Sequence, residues 1–186
     1  MSSHFAKAVL AAVLMTLAIG ASSKAQTPDN DGCSNATLKG DYAFTVSGSF
    51  TVPGGPTIPR LGVAMTHFDG LGGLKQVDFV VSNVPPPGVA PSDPVTGFHI
   101  EEKGTYTVYN DCTGTFTINF PDFTTPTGMM IPGAIITAKF VIANQGRSIY
   151  TVVSSLQPPG AAKPLPPTNV AITSEGHKLG IIGQEY

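Results

Sequence analysis

Residues 101–120 read EEKGTYTVYNDCTGTFTINF, and this stretch decides the fold class. Polar and apolar residues alternate on both sides of Asn110-Asp111-Cys112-Thr113-Gly114, a cluster of turn formers. A period of two is that of a strand with one buried face, so residues 98–110 and 112–120 are expected to pair as a hairpin. The hairpin turn carries Cys112, one of two cysteines in the 186 residues.

The pattern extends outward in both directions. Residues 40–50 alternate, with Tyr42, Phe44 and Val46 on one face. Residues 61–68 and 74–83 form two more strands around Asp69-Gly70-Leu71-Gly72-Gly73, and Val77, Phe79 and Val81 are expected to share one face of the second. Downstream, residues 133–144 and 147–157 form a hairpin around Asn144-Gln145-Gly146. Residues 169–174 are expected to be a last long strand and 179–182 a short terminal one. Residues 51–59, 84–97, 121–132 and 158–167 are rich in proline and are expected to be loops. Lys39-Gly40-Asp41-Tyr42 and Lys103-Gly104-Thr105-Tyr106 echo one another, as does Gly114-Thr115-Phe116 more loosely. In each, a glycine at a bend precedes an inward aromatic.

No segment beyond residue 25 has the periodicity of an amphipathic helix. Glycine and proline number 21 and 17, and only 12% of residues are charged, a composition suited to a loop-rich β protein. The expected fold class is all-β: a single antiparallel up-and-down β-barrel of about eight strands, because closure removes exposed edges. A two-sheet β-sandwich satisfies the same periodicity and is the alternative.

The first 25 residues are laid out as a secretory signal peptide. One lysine precedes the apolar run at 8–20, and Ser23-Lys24-Ala25 supplies small residues for cleavage after Ala25. Thirteen residues rise about 20 Å as a helix, short of the roughly 30 Å hydrocarbon core. The expected organisation is therefore signal peptide 1–25, flexible leader 26–32 and a single barrel domain 33–186, secreted or periplasmic. Loss of Lys7 and Lys24 leaves eight basic against twelve acidic side chains, a net charge of −4. That balance excludes nucleic acid as the expected partner. Export makes a Cys33–Cys112 disulfide the expected state of the cysteines. Closing 79 residues is worth about 4.5 kcal/mol in the chain-entropy account.

Three stretches also carry a resemblance. They are Cys33-Ser34-Asn35-Ala36-Thr37-Leu38-Lys39-Gly40-Asp41-Tyr42-Ala43-Phe44, then Phe68-Asp69-Gly70-Leu71-Gly72, then Gly104-Thr105-Tyr106-Thr107-Val108 running into Asp111-Cys112-Thr113-Gly114-Thr115. Over most of residues 33–174 the chain resembles a family of secreted bacterial proteins of unknown function. Its strand count is similar to that of calycin-like barrels and the allene oxide cyclase barrel. The resemblance implies a fold and a disulfide and no catalytic residue.

Chemistry-bearing residues are sparse. His67 and Asp69 are two apart, as are His99 and Glu101, so on a strand each pair shares a face and each acid orients its imidazole. Brought together, the two pairs would offer nitrogen and oxygen to a metal ion, but both have ordinary structural explanations, Asp69 in its turn and Glu101 on a solvated face, and no metal is expected. Asp78, Glu101 and Glu102 are the acids available for carboxylate chemistry, although 101 and 102 face opposite ways on a strand. A nucleophile elbow and a phosphate-cradling loop are both absent. His177, in a polar tail, is expected to be exposed.

Tyr42, Phe44, Phe79, Tyr106, Phe116 and Phe140, with Ile118 and Tyr150, are the candidate lining of a barrel interior that accepts a small apolar ligand. These side chains are also large enough to fill the barrel, and a filled core is the expectation. The expected function is that of an exported, non-catalytic, monomeric barrel binding a small apolar molecule or a surface partner through its loops. No cofactor and no membrane insertion are expected. The alternatives are a cyclase or isomerase of calycin-like kind, which requires a buried ionisable group such as Asp78 or Glu101 in an open pocket, and an envelope-associated structural protein.

Overall fold

The computed structural model describes residues 32–82 and 96–180. The expected signal segment, the expected leader up to residue 31, the last residue of the strand expected at 74–83, most of the loop expected at 84–97 and the end of the short strand expected at 179–182 lie outside the described residues.

Ten strands follow in chain order: β1 Lys39–Thr51, β2 Thr57–Asp69, β3 Gly73–Val81, β4 His99–Val108, β5 Thr113–Asn119, β6 Phe123–Thr124, β7 Met130–Ile131, β8 Ile135–Ala143, β9 Ser148–Gln157 and β10 Val170–Lys178. Eight of them close into an antiparallel barrel in the order β1-β10-β9-β8-β5-β4-β3-β2, and β6 and β7 form a separate two-stranded ribbon. The up-and-down barrel expected from the sequence is therefore present, and the sandwich is not. Closure is made by β1 and β10, from Tyr42 opposite Lys178 to Phe50 opposite Val170.

Two expected boundaries move. β2 begins inside the expected loop and contains Pro59, which pairs only with Ser49 of β1 because the β3 ladder ends at Leu61 and Val81. A proline has no N–H to donate, and this overhang asks for none on the β3 side. β10 runs on to Lys178, so His177 is a strand residue, exposed and ion-paired to Glu175 at 3.0 Å.

Tight turns join β2–β3, β4–β5 and β8–β9 at one end of the barrel, where β1 also starts. Long connections, including the β6–β7 ribbon and residues 158–169, gather at the other. A 3-10 turn at Asn35–Thr37 covers the tight-turn end. Asn35 accepts the Val108 N–H at 2.8 Å, and the disulfide Cys33–Cys112, with Cα atoms 4.8 Å apart, fastens the segment to the β4–β5 turn. Behind this cover Leu38, Tyr42, Phe68 and Ile149 are fully buried. Phe68 stands edge-on between Tyr42 and Tyr106, with centroids 5.4 and 5.0 Å away. Tyr42 donates to the Gly146 carbonyl and Tyr106 to that of Leu38, so both aromatic hydroxyls are satisfied at the barrel's base.

Inward rings are seated on glycines of the neighbouring strand. Phe44 lies opposite Gly176 and Phe140 opposite Gly114, where a Cβ would approach the rings to 2.3 and 2.2 Å. Any larger residue there displaces the ring.

The expected face of β3 is reversed. Leu74, Gln76, Asp78 and Val80 turn inward, while Phe79 is 42% exposed and lies opposite Val63 on the outer surface. Tyr150 is likewise outside, opposite Val141. The inward face of β2, set by Phe68, Thr66 and Ala64, fixes the face of β3 through the register, and it puts the polar residues of β3 inside.

Candidate functional site

The interior is not filled along its whole length. A cavity of about 230 Å³ occupies the barrel from mid-height toward the long-connection end. Most of its wall is apolar, including Phe44, Ala64, Phe116, Ile136, Val153 and Leu156. The polar groups gather mainly in one sector, where Arg60 and Thr66 from β2, Gln76 and Asp78 from β3 and His99 from β4 stand side by side on adjacent strands, while Thr151 and Ser174 bond to each other at 2.6 Å elsewhere on the wall.

A β-bulge builds this sector. Gln76 lies opposite Glu102 and Asp78 opposite His99, so two steps on β3 match three on β4. The extra residue is accommodated around Glu101, whose φ is 68°. As a result His99 and Glu102 face the interior while Glu101 is exposed on the surface. Strict alternation pairs His99 with Glu101; the bulge replaces that partner with Glu102.

A chain of hydrogen bonds crosses the three strands. Thr66 donates to Gln76 at 2.8 Å, and Gln76 donates to Oε2 of Glu102 at 2.7 Å. His99 Nδ1 lies 2.8 Å from Oδ1 of Asp78. Glu102 is buried beside Asp78; first desolvation, then the Asp78 carboxylate, push its carboxyl up to about 9, although the Gln76 hydrogen bond pulls it down. Glu102 is thus a neutral acid near pH 7. His99 is raised above its ordinary value, chiefly by its hydrogen bond to Asp78, against burial and Arg60. Burial lowers Arg60, which Asp78 opposes, and its guanidinium sits over the Phe50 ring at 5.0 Å from the centroid.

The residues expected to line a ligand cavity separate into three groups. Phe44 and Phe116 line it. Tyr42, Tyr106 and Phe140 are buried but pack in the core toward the tight-turn end. Phe79 is outside, as described above. The two histidine–acid pairs also divide. His67 is exposed and bonded to Asp41 at 2.8 Å, and Asp69 accepts the N–H groups of Leu71, Gly72 and Gly73 in its turn. Those three bonds, with Leu71's the strongest influence, hold the Asp69 carboxyl below its ordinary value. His67 and His99 therefore belong to opposite faces of the sheet and do not meet. Arg60, Thr66 and Gln76 had no distinguishing local signal in the sequence, and Asp78 and Glu102 stood out only as available acids.

Among the described residues no helix is long and apolar enough to cross a membrane. Compared with protein-family models, curated proteins and solved structures, the chain finds no match.

Proposed function

We propose that the barrel takes up a small, largely apolar molecule and orients it by an anionic or strongly polar group. The observation that carries this reading is the division of one cavity wall into an apolar majority and one sector that gathers its charged groups. Ligand sites have this composition: apolar surface for affinity, a few converging polar groups for orientation. An apolar cavity of about 150 Å³ is large enough for benzene. A volume of about 230 Å³ therefore suits one ring with a short substituent, or a chain of medium length. Arg60 brings a positive charge, the hydrogen bond to Asp78 pulls His99 toward its protonated form, and Glu102 stays neutral, so an anionic head group is favoured.

We also propose export from the cell, with which the disulfide is consistent, and kinship with the secreted bacterial family that the sequence resembles. A second reading, a proton-transferring isomerase or cyclase, is favoured by one observation: Asp78 and His99, hydrogen-bonded at 2.8 Å, both border the cavity, the arrangement of an oriented base. An H99Q variant that keeps ligand binding and also keeps any turnover of that ligand removes this second reading.

The test is displacement of an apolar fluorescent dye, in the presence of a chelator, by straight-chain carboxylic acids and the matching alcohols. Saturable displacement is expected, with acids stronger than alcohols by about 10-fold and with that preference lost in R60Q. Ala64→Leu, which fills the wall, should abolish displacement. Absence of saturable binding, or binding indifferent to Ala64→Leu, overturns the proposal.

A further inference from the structure

An apolar molecule in the cavity leaves one group without a purpose. Gln76 satisfies Oε2 of Glu102, but Oε1 is buried without a well-formed hydrogen bond, and the group nearest to it in charge is the Asp78 carboxyl, which favours a shared proton there. The side chain is 1% exposed, so water does not reach it. Leaving such an oxygen bare costs free energy that a donor or a cation would offset. The atoms nearest to supply a common ligand are on Asp78 and His99: one donor atom from each of the three residues falls within 4.8 Å of the others.

We propose that Asp78, His99 and Glu102 bind a divalent first-row transition-metal ion, with zinc the best-suited. One imidazole and two carboxylates form a mixed nitrogen and oxygen set, which suits zinc, manganese or iron; magnesium and calcium prefer oxygen alone. Around tetrahedral zinc, donors about 2.1 Å from the ion stand about 3.4 Å apart. The His99–Asp78 separation of 2.8 Å has to open by about 0.6 Å, and the widest separation, within 4.8 Å, has to close by at most about 1.4 Å. Gln76, held in turn by Thr66, fixes Glu102 from behind as outer partners of metal ligands do. Arg60 faces Asp78 and opposes the ion; the ion displaces the proton that Glu102 carries in the metal-free protein, which leaves two carboxylates against one guanidinium. The site does not depend on the cavity accepting an apolar ligand, and its test uses none.

Chelator-stripped, disulfide-bonded protein is titrated with zinc chloride, and separately with magnesium chloride, by calorimetry. One zinc per chain is expected and no saturable magnesium binding. H99Q, D78N and E102Q should each weaken zinc at least as much as the about 10- to 100-fold that loss of an outer partner costs. Gln76→Ala, which keeps all three ligands, should weaken it within that range and serves if a ligand variant does not fold. The exposed His67–Asp41 and His177–Glu175 pairs are the natural competitors, so H67Q and H177Q should leave the affinity unchanged. No saturable zinc binding, binding that follows His67 or His177, or an E102Q variant as tight as the unmodified protein overturns the proposal.

Discussion

At the tight-turn end of the barrel, Tyr42, Phe68 and Tyr106 interlock edge to face, their hydroxyls bonded to backbone carbonyls and the 3-10 turn fastened over them by a disulfide. From mid-height toward the other end, the same strands turn Arg60, Thr66, Gln76, Asp78 and His99 inward around a cavity, with Glu102 buried beside Gln76. The first region obeys every rule of a stable interior: apolar side chains in, polar atoms satisfied, glycines where rings need space. The second breaks them, with acids inside, a bulge in β4 and an oxygen without a well-formed hydrogen bond. Departures of this kind gather where a protein has something to bind, and the well-packed end offsets their cost.

Phe68 belongs to both regions, packing between the two tyrosines and forming part of the cavity wall. Phe68→Ala is expected to lower stability by about 3–5 kcal/mol, read by urea unfolding, and to lengthen the best carboxylic acid ligand. A loss under about 1 kcal/mol would mean that the aromatic plug is not what holds the base. The disulfide should come next. The C33S/C112S double variant is expected to lose about 2–4 kcal/mol, short of the chain-entropy figure, with dye displacement unchanged in the folded protein. Impaired displacement at a temperature where the variant is fully folded would show that the two ends are coupled, not separate.

The well-packed end was largely legible in the sequence, because alternation, turn chemistry and cysteine pairing all act locally or by simple elimination. Tyr42, Phe44 and the Lys-Gly-x-Tyr echo gave the right face for β1 and β4. The cavity end was not legible for the reverse reason. On β3, Val77, Phe79 and Val81 are more apolar than Gln76 and Asp78, so the binary pattern puts the wrong face inside. Only the register with β2 fixes it. The bulge at Glu101 shifts the inward partner of His99 by one residue, and no residue in Ile100-Glu101-Glu102 announces a positive φ. Glycine is the residue that would have done so.

A further contrast separates the two regions by chemistry alone. Tyr42 is pushed up to about 12 by burial and Tyr106 is raised by the same cause, so neither hydroxyl of the packed end ionises between pH 5 and pH 9. In the cavity half, Glu102 meets Gln76 and Asp78 from β3 and His99 from its own strand, with Thr66 and Arg60 of β2 beyond them. Its carboxyl holds a proton up to about 9 in the folded protein and only to its ordinary 4.5 when exposed. Between those values the folded chain binds the extra proton, so stability falls as pH rises through the window and levels off above it. His99, raised above 6.5, slopes the same way: its contribution is complete below that value and is lost as pH rises through the folded one. Glutamine at position 102 carries no titrating proton, so metal-free E102Q should match the unmodified protein near pH 5 and exceed it at pH 8 to 9. What remains of its slope is then the share owed to His99. Urea unfolding at pH 5, 7 and 9 with chelator present measures both curves, and parallel curves would mean that Glu102 is ionised in the fold. That outcome would also remove the electrostatic contrast between the two ends.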